Sequence, residues 1–205
     1  LINEAIMSGK IRGIAALMGS DNPRVQATGV HKYIARELIN DDVLVLTTEC
    51  GAAACAASGL LNPETALDST GANLRKACEE IGIPPILSLG GSADNSRILT
   101  MLSAMASEGG ISDEISGIPA VIIAPEWLTE RELSIACCFA ASGIPVILGG
   151  TSPVESSEEV TRIMAEVLSE RFGGAIHFEP EFEKMFETAL SCIDRAREAQ
   201  IKEQI

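Results

Sequence analysis

Aromatic residues are scarce in this chain of 205 residues, which has five Phe, one Tyr and one Trp, or 3% of the total. Hydrophobic residues still make up 46%, so aliphatic side chains and Ala must fill a core of considerable size. The length suits one large domain, residues 1–205. No apolar run approaches the length of a membrane span, so we expect no insertion into a membrane.

Positively charged residues are also few. The chain has 15 Lys and Arg and 29 Asp and Glu, which gives a formal charge of −14. Phosphate binding needs clustered cations, so the composition argues against nucleic acid as a partner. No secretory signal is recognisable. The chain opens at Leu1 with helix-like sequence. We therefore expect one piece of a longer, cytoplasmic polypeptide.

Cysteine spacing typical of a compact metal motif is missing. The first two of the six cysteines are five residues apart, unlike those of zinc or iron–sulfur motifs, and a long, core-rich chain does not resemble a disulfide framework. The sequence predicts Cys55, Cys78 and Cys192 in helix cores, together with at least one of the adjacent pair. The six are Cys50, Cys55, Cys78, Cys137, Cys138 and Cys192.

Three nucleotide and hydrolase motifs are absent as well. No G-x-G-x-x-G follows the first strand, no Walker lysine is present, and no G-x-S-x-G elbow occurs. These absences argue against dinucleotide binding, P-loop chemistry and a Ser-His-Asp hydrolase.

Strand-like runs alternate with helical patterns along the whole chain, which predicts a doubly wound, Rossmann-like α/β fold. We expect five or six mainly parallel strands with helices on both faces. A helix begins near Asn22-Pro23, Asn62-Pro63 forms a turn, and Thr129 with Glu132 resembles a capping box. The predicted strands are 12–18, 43–48, 86–90, 119–124, 145–149 and 175–178, and the other predicted helices are 2–9, 51–59, 71–81, 96–108, 130–142, 157–171 and 181–198.

Polar loops follow the apolar runs Ile14–Gly19, Val43–Thr48 and Ile86–Gly91, and the first and third loops nearly repeat each other as Gly-Ser, Asp-Asn and Arg. In a parallel sheet the loops at the carboxyl ends of the strands line one crevice. The residues predicted to line it are Ser20, Cys50, Ser92, Glu126 and Arg131.

The residues alone allow two interpretations of each of these loops. Cys50 at a helix N-terminus favours a thiolate, which is both a metal ligand and a nucleophile, but a small buried residue at a strand–helix junction would look the same. The two Gly-Ser loops could hold an anion, or their Asp and Asn residues could simply cap helices.

Several stretches resemble the C-terminal α/β domain of the anaerobic nickel–iron carbon monoxide dehydrogenases and, more distantly, the hybrid-cluster proteins. They follow one another in order over nearly the whole chain. Members of that family have a helical N-terminal part and two Rossmann-like domains and act as homodimers, so the resemblance implies missing upstream domains or a partner chain. The stretches are Gly19–Arg24, Thr47–Ala52, Gly82–Leu87, Asp94–Ile98 and Ala124–Trp127.

The resemblance also implies a site. In the family this domain brings three cysteines to the nickel–iron–sulfur cluster that oxidises CO to CO2. Two precede Asn-Asn-Pro and Asp-Asn-Ser-Arg motifs, and one lies in a Thr-Gly-Cys motif. The corresponding residues here are Ser20, Ser92 and Cys50, so Cys50 is the metal ligand that remains. Arg131 replaces the family's lysine, keeps its charge but hardly exchanges protons, and is predicted to stabilise an oxyanion.

A serine hydroxyl is a poor ligand for iron or nickel beside a thiolate. The leading prediction is therefore the C-terminal domain of a carbon monoxide dehydrogenase-like oxidoreductase whose cluster site is degenerate, with the isolated chain inactive in CO oxidation. The alternative is a cluster-free scaffold or assembly domain, or a small-anion-binding module, of the same fold.

Overall fold

The computed structural model describes residues 1–20, 28–126, 130–150 and 156–203. Six strands form one sheet in the order β3-β2-β1-β4-β5-β6, and every pairing is parallel. The predicted doubly wound α/β fold is confirmed, and the sheet is parallel throughout. The strands are β1 Gly13–Leu17, β2 Val43–Thr48, β3 Ile86–Gly90, β4 Ala120–Ala124, β5 Val146–Leu148 and β6 Ile176–Phe178.

The central strands are buried on both faces. Every residue of β1, β2 and β4 is buried, and successive side chains of a strand point to opposite faces. Helices therefore cover the sheet on both sides, as a parallel sheet requires. At the centre, β1 pairs with β2 and with β4, which places the carboxyl ends of these strands next to one another.

The helices follow the predicted pattern with three differences. An unpredicted helix, α4, begins at Pro63, where the Asn62 side chain accepts a hydrogen bond from Glu64 N at 3.0 Å. α3 begins two residues before its predicted start, and a π-helical turn, Ile163–Val167, joins α8 to α9. The helices are α1 Ile2–Met7, α2 Thr28–Asn40, α3 Glu49–Ala57, α4 Pro63–Asp68, α5 Ala72–Ile81, α6 Asn95–Glu108, α7 Glu130–Ala141, α8 Glu158–Arg162, α9 Leu168–Phe172 and α10 Phe182–Glu203.

Burial of the thiols agrees with the prediction for three of them. Cys55, Cys78 and Cys192 are buried, and burial raises the pKa of Cys55 and of Cys78 to about 11. Neither of the adjacent pair is fully buried, because Cys137 only packs against the edge of the core and Cys138 is exposed. The expectation of a core residue in that pair is therefore met only in part, by Cys137.

Some predictions fall outside the described residues. These are the helix start at Asn22-Pro23 and the capping role of Thr129. Within the described residues, none of the helices is both long enough and apolar enough to traverse a bilayer.

Candidate functional site

Four neighbouring strands end at one edge of the sheet, and the segments that follow them carry the predicted site. Because the sheet order is β3-β2-β1-β4, these four segments are neighbours in space. Residue 20 follows β1, α3 follows β2 directly, a 3-10 turn and α6 follow β3, and α7 follows β4. The polar side chains at these positions are Ser20, Glu49, Cys50, Ser92, Asn95, Arg131 and Glu132.

A series of hydrogen bonds crosses this edge. Ser20 Oγ donates to Glu132 Oε1 at 3.1 Å, and the carboxyl group of Glu132 is close enough to Glu49 to raise the pKa of Glu49. Asn95 Nδ2 donates to Glu49 Oε1 at 2.9 Å, and Thr48 Oγ1 donates to Asn95 Oδ1 at 2.5 Å. We call these five residues, Ser20, Thr48, Glu49, Asn95 and Glu132, the crevice network.

Arg131 connects Ser92 to the same region. Its Nη1 donates to Ser92 Oγ at 2.9 Å, and its charge acts to lower the pKa of Glu49. Of the predicted lining residues, the structure thus brings Ser20, Ser92 and Arg131 to one place. Cys50 adjoins it as the neighbour of Glu49.

Glu49 is the group whose protonation is most perturbed at this edge. Burial raises its pKa to about 7, and the hydrogen bond and negative charge of Glu132 add to the increase. The hydrogen bond from Asn95 and the charge of Arg131 act in the opposite direction.

The backbone conformation at the start of α3 determines the position of the Glu49 carboxyl. Glu49 has φ 52°, in the left-handed region that favours glycine, and the Thr-Gly-Cys motif of the resembling family has glycine at this position. A Cβ on Gly51 would lie 2.8 Å from Thr47 Oγ1 and 3.2 Å from His31 Cδ2. The first turn of α3 therefore packs tightly against β2 and α2.

The remaining candidates occupy simpler environments. Cys50 is half-buried as the second residue of α3, and Glu126 is half-buried just after β4. His31 is fully buried in α2, and burial lowers the pKa of the half-buried His177. In residues 1–20, 28–126, 130–150 and 156–203, no three His, Cys, Asp or Glu side chains are grouped in a way that could hold a metal ion.

Sequence reasoning missed four members of the site. They are Thr48, Glu49, Asn95 and Glu132. Glu132 was predicted as part of a cap, but it is buried and bonded to Ser20. Asn95 was predicted as a cap of α6, but its amide bridges Thr48 and Glu49. The signal that could have identified them is their position in the chain, because all four lie at the carboxyl ends of strands or in the next helical turn.

Known proteins match this chain over most of its length. Residues 2–183 match the Prismane/CO dehydrogenase family. Carbon monoxide dehydrogenase 1 of Methanosarcina mazei is 40% identical over 196 residues, which cover 96% of this chain and 31% of that protein. The chain therefore spans about a third of the length of such curated relatives.

Solved structures agree in fold and in coverage. A nickel-free carbon monoxide dehydrogenase from Thermococcus sp. AM4 matches with a TM-score of 0.91 and 39% identity, over 97% of this chain and 31% of that one. An acetyl-CoA synthase/carbon monoxide dehydrogenase with NiZn[Fe4S4] and NiNi[Fe4S4] clusters matches with a TM-score of 0.89 and 28% identity, over 95% and 30%. On these matches and on its parallel sheet, the chain belongs to the Prismane/CO dehydrogenase family.

Proposed function

We propose that this chain is the C-terminal Rossmann-like domain of a cytoplasmic carbon monoxide dehydrogenase-like oxidoreductase, with upstream domains and a second subunit completing a homodimer. The observation that carries the proposal is the convergence of the described residues that follow β1, β2, β3 and β4. They lie in or beside the family motifs, and hydrogen bonds join their side chains.

The residues present do not fit a sulfur-held nickel–iron–sulfur cluster. Only Cys50 offers a thiol among the three corresponding positions, and its partners are hydroxyls, which are harder and weaker donors for iron and nickel. The Ser20 hydroxyl donates to Glu132. Ser92 Oγ accepts from the Arg131 guanidinium, whose positive charge opposes a metal cation at that oxygen. We therefore propose that the domain forms the wall of the crevice as a scaffold and supplies no complete cluster site.

Arg131 keeps a proposed role in this scaffold. Its side chain is at the exposed rim of the crevice and carries a permanent positive charge. That charge suits a small oxyanion at the mouth of the crevice, in the place of the family's lysine.

A second candidate is a cluster of different composition held partly by Cys50. It is favoured by one observation: Cys50 is a free, half-buried thiol in the first turn of a nine-residue helix, and cysteine sulfur is the usual protein ligand of iron–sulfur clusters. Stoichiometric iron in the anaerobically prepared protein, lost in Cys50→Ala, would favour this candidate over the scaffold.

A chimera tests the leading proposal. The 196-residue segment of Methanosarcina mazei carbon monoxide dehydrogenase 1 that matches this chain is replaced by the chain itself. We expect a soluble protein with the oligomeric state of the parent, because the two segments belong to one family and are 40% identical. We expect CO-dependent viologen reduction at background level, because two of the thiols are gone.

The parent enzyme, expressed and chemically reduced in parallel, is the control for both measurements, the oligomeric state and the CO-dependent viologen reduction. Aggregation of the chimera, or an altered oligomeric state, would contradict the domain assignment. CO oxidation at the parental rate would contradict the degenerate site and leave the domain assignment standing.

A further inference from the structure

The crevice network runs through the segments after four different strands. Ser20 follows β1, Glu49 follows β2, Asn95 follows β3 and Glu132 lies in the helix after β4. The Ser20–Glu132 bond joins the segments after β1 and β4, the Arg131–Ser92 bond joins those after β4 and β3, and the Asn95–Glu49 bond joins those after β3 and β2. Each segment belongs to a separate strand–helix unit, so the series ties together four parts that are distant in the chain.

Because its side chains are buried, this series of hydrogen bonds contributes to the stability of the fold. Glu132 is 2% exposed and Asn95 is 0% exposed. A buried polar side chain that loses its partner keeps its desolvation penalty. Removing the hydrogen-bonding capacity of Glu132 would therefore take away the acceptor of the Ser20 hydroxyl at this edge.

The backbone supports the same conclusion independently. Glu49 holds a left-handed φ of 52°, which is unfavourable for a residue with a Cβ. Such strain persists where the surrounding contacts hold it. The contact that holds it here is the hydrogen bond that its carboxyl accepts from Asn95 Nδ2.

We propose that the crevice network is a metal-free clamp, in which the hydrogen bonds of Glu132 and Glu49, together with that of Arg131 to Ser92, hold the four segments together without any metal ion. The clamp stands in the crevice where a shared cluster would bridge the same loops. The proposal concerns contacts within this chain only. It goes beyond the proposed function, and it can fail while the domain assignment holds.

Two variants of one buried position separate hydrogen bonding from packing. Glu132→Gln keeps the shape and can still accept a hydrogen bond from Ser20, whereas Glu132→Met keeps a similar volume and cannot. We expect thermal unfolding of Glu132→Gln close to that of the wild type, and a midpoint lower by about 5 °C in Glu132→Met. The matched control is Glu130→Met at the exposed start of α7, which should unfold like the wild type.

A substitution at a second position, Ser20, tests the clamp even if Glu132→Met does not fold. Ser20→Ala removes one hydroxyl from the series and almost no volume, and we expect a midpoint lower by about 2 °C. In a Glu132→Met background the same change should have no further effect, because its partner is already gone.

Metal removal completes the experiment. Treatment of the wild type with EDTA and bathophenanthroline, followed by iron and nickel analysis, should leave the midpoint unchanged. Equal midpoints for Glu132→Gln and Glu132→Met would overturn the clamp, as would full additivity of Ser20→Ala where Glu132→Met folds. A midpoint that falls on chelation would overturn it as well.

Discussion

Two non-glycine residues in the described part of the chain have left-handed backbone angles, Asp42 at φ 61° and Glu49 at φ 52°. Asp42 is explained locally, because its carboxylate accepts from the backbone N–H groups of Asn73 at 3.1 Å and Leu74 at 2.9 Å at the start of α5. Glu49 has long-range contacts instead, across to Asn95. The left-handed conformation costs a residue with a Cβ about 1–2 kcal/mol, which these contacts offset.

The protonation of Glu49 predicts a pH dependence of stability. Its pKa is raised by burial to about 7 in the folded chain, from 4.5, so the folded state binds more protons than the unfolded state between these values. The stabilisation is fully present below pH 4.5 and is lost as the pH rises through about 7. We expect the unfolding midpoint of the wild type to fall between pH 5 and pH 8 relative to that of Glu49→Gln, measured by thermal denaturation.

The control for this measurement is Glu108→Gln, which changes an exposed carboxyl at the end of α6. Its pH profile should run parallel to that of the wild type. A Glu49→Gln profile that also runs parallel would show that Glu49 titrates alike in the folded and unfolded chains.

At the scale of elements, the strands were the most predictable part. Each is a short, nearly continuous apolar run, which is typical of a parallel sheet buried on both faces, and β2 was predicted with its observed bounds. The start of α3 was misplaced because a left-handed glutamate at a helix start has no sequence signal. α4 was missed because six residues are too few to show a helical period.

The end of β5 shows how closely neighbouring elements approach at the crevice edge. A Cβ on Gly149 would lie 1.9 Å from Pro125 O and 2.5 Å from Pro125 C. Both atoms are backbone atoms just after β4, so a side-chain rotation cannot relieve the clash. Only glycine fits here without separating the ends of β4 and β5.

We therefore expect Gly149→Ala to be destabilising by about 3 kcal/mol, as is usual for overpacking against a rigid neighbour. Urea denaturation measures the change in the free energy of unfolding. Gly91→Ala is the matched control, because a Cβ there meets no atom within 4 Å and should change stability by less than about 0.5 kcal/mol. Equal effects of the two substitutions would mean that β4 and β5 can move apart freely.

At the scale of the whole molecule, the location of the site was predictable and its internal connections were not. Parallel topology alone places the loops after β1, β2, β3 and β4 at one edge, and the loops of Ser20, Cys50 and Ser92 are there. Which polar side chains point inward depends on the packing of helices from distant parts of the chain. The carboxyl contact between Glu49 and Glu132 joins residues 83 positions apart by number, and no local pattern encodes it.

The roles of Cys50 as a metal ligand and of Arg131 as a catalytic group stay predictions, and the chimera described above offers a test of the first. Ser20→Cys with Ser92→Cys in that chimera would restore thiols at all three positions of the family motifs. We expect more iron per subunit and stronger visible absorption from thiolate–iron bonds than in the unmodified chimera, because thiolates are much better donors than hydroxyls for iron. Anaerobic metal analysis measures the gain.

Two comparisons decide whether such a gain comes from the crevice. Ser103→Cys with Ser191→Cys adds the same number of thiols on exposed faces of α6 and α10, and this control should gain no iron. Cys50→Ala on the restored background should abolish the gain, because the remaining two thiols and the carboxyl pair leave the donor set incomplete. If the restored chimera keeps its iron without Cys50, or the control gains as much, then Cys50 is not one of a shared set of ligands. The fold would in that case retain the family's crevice for packing alone.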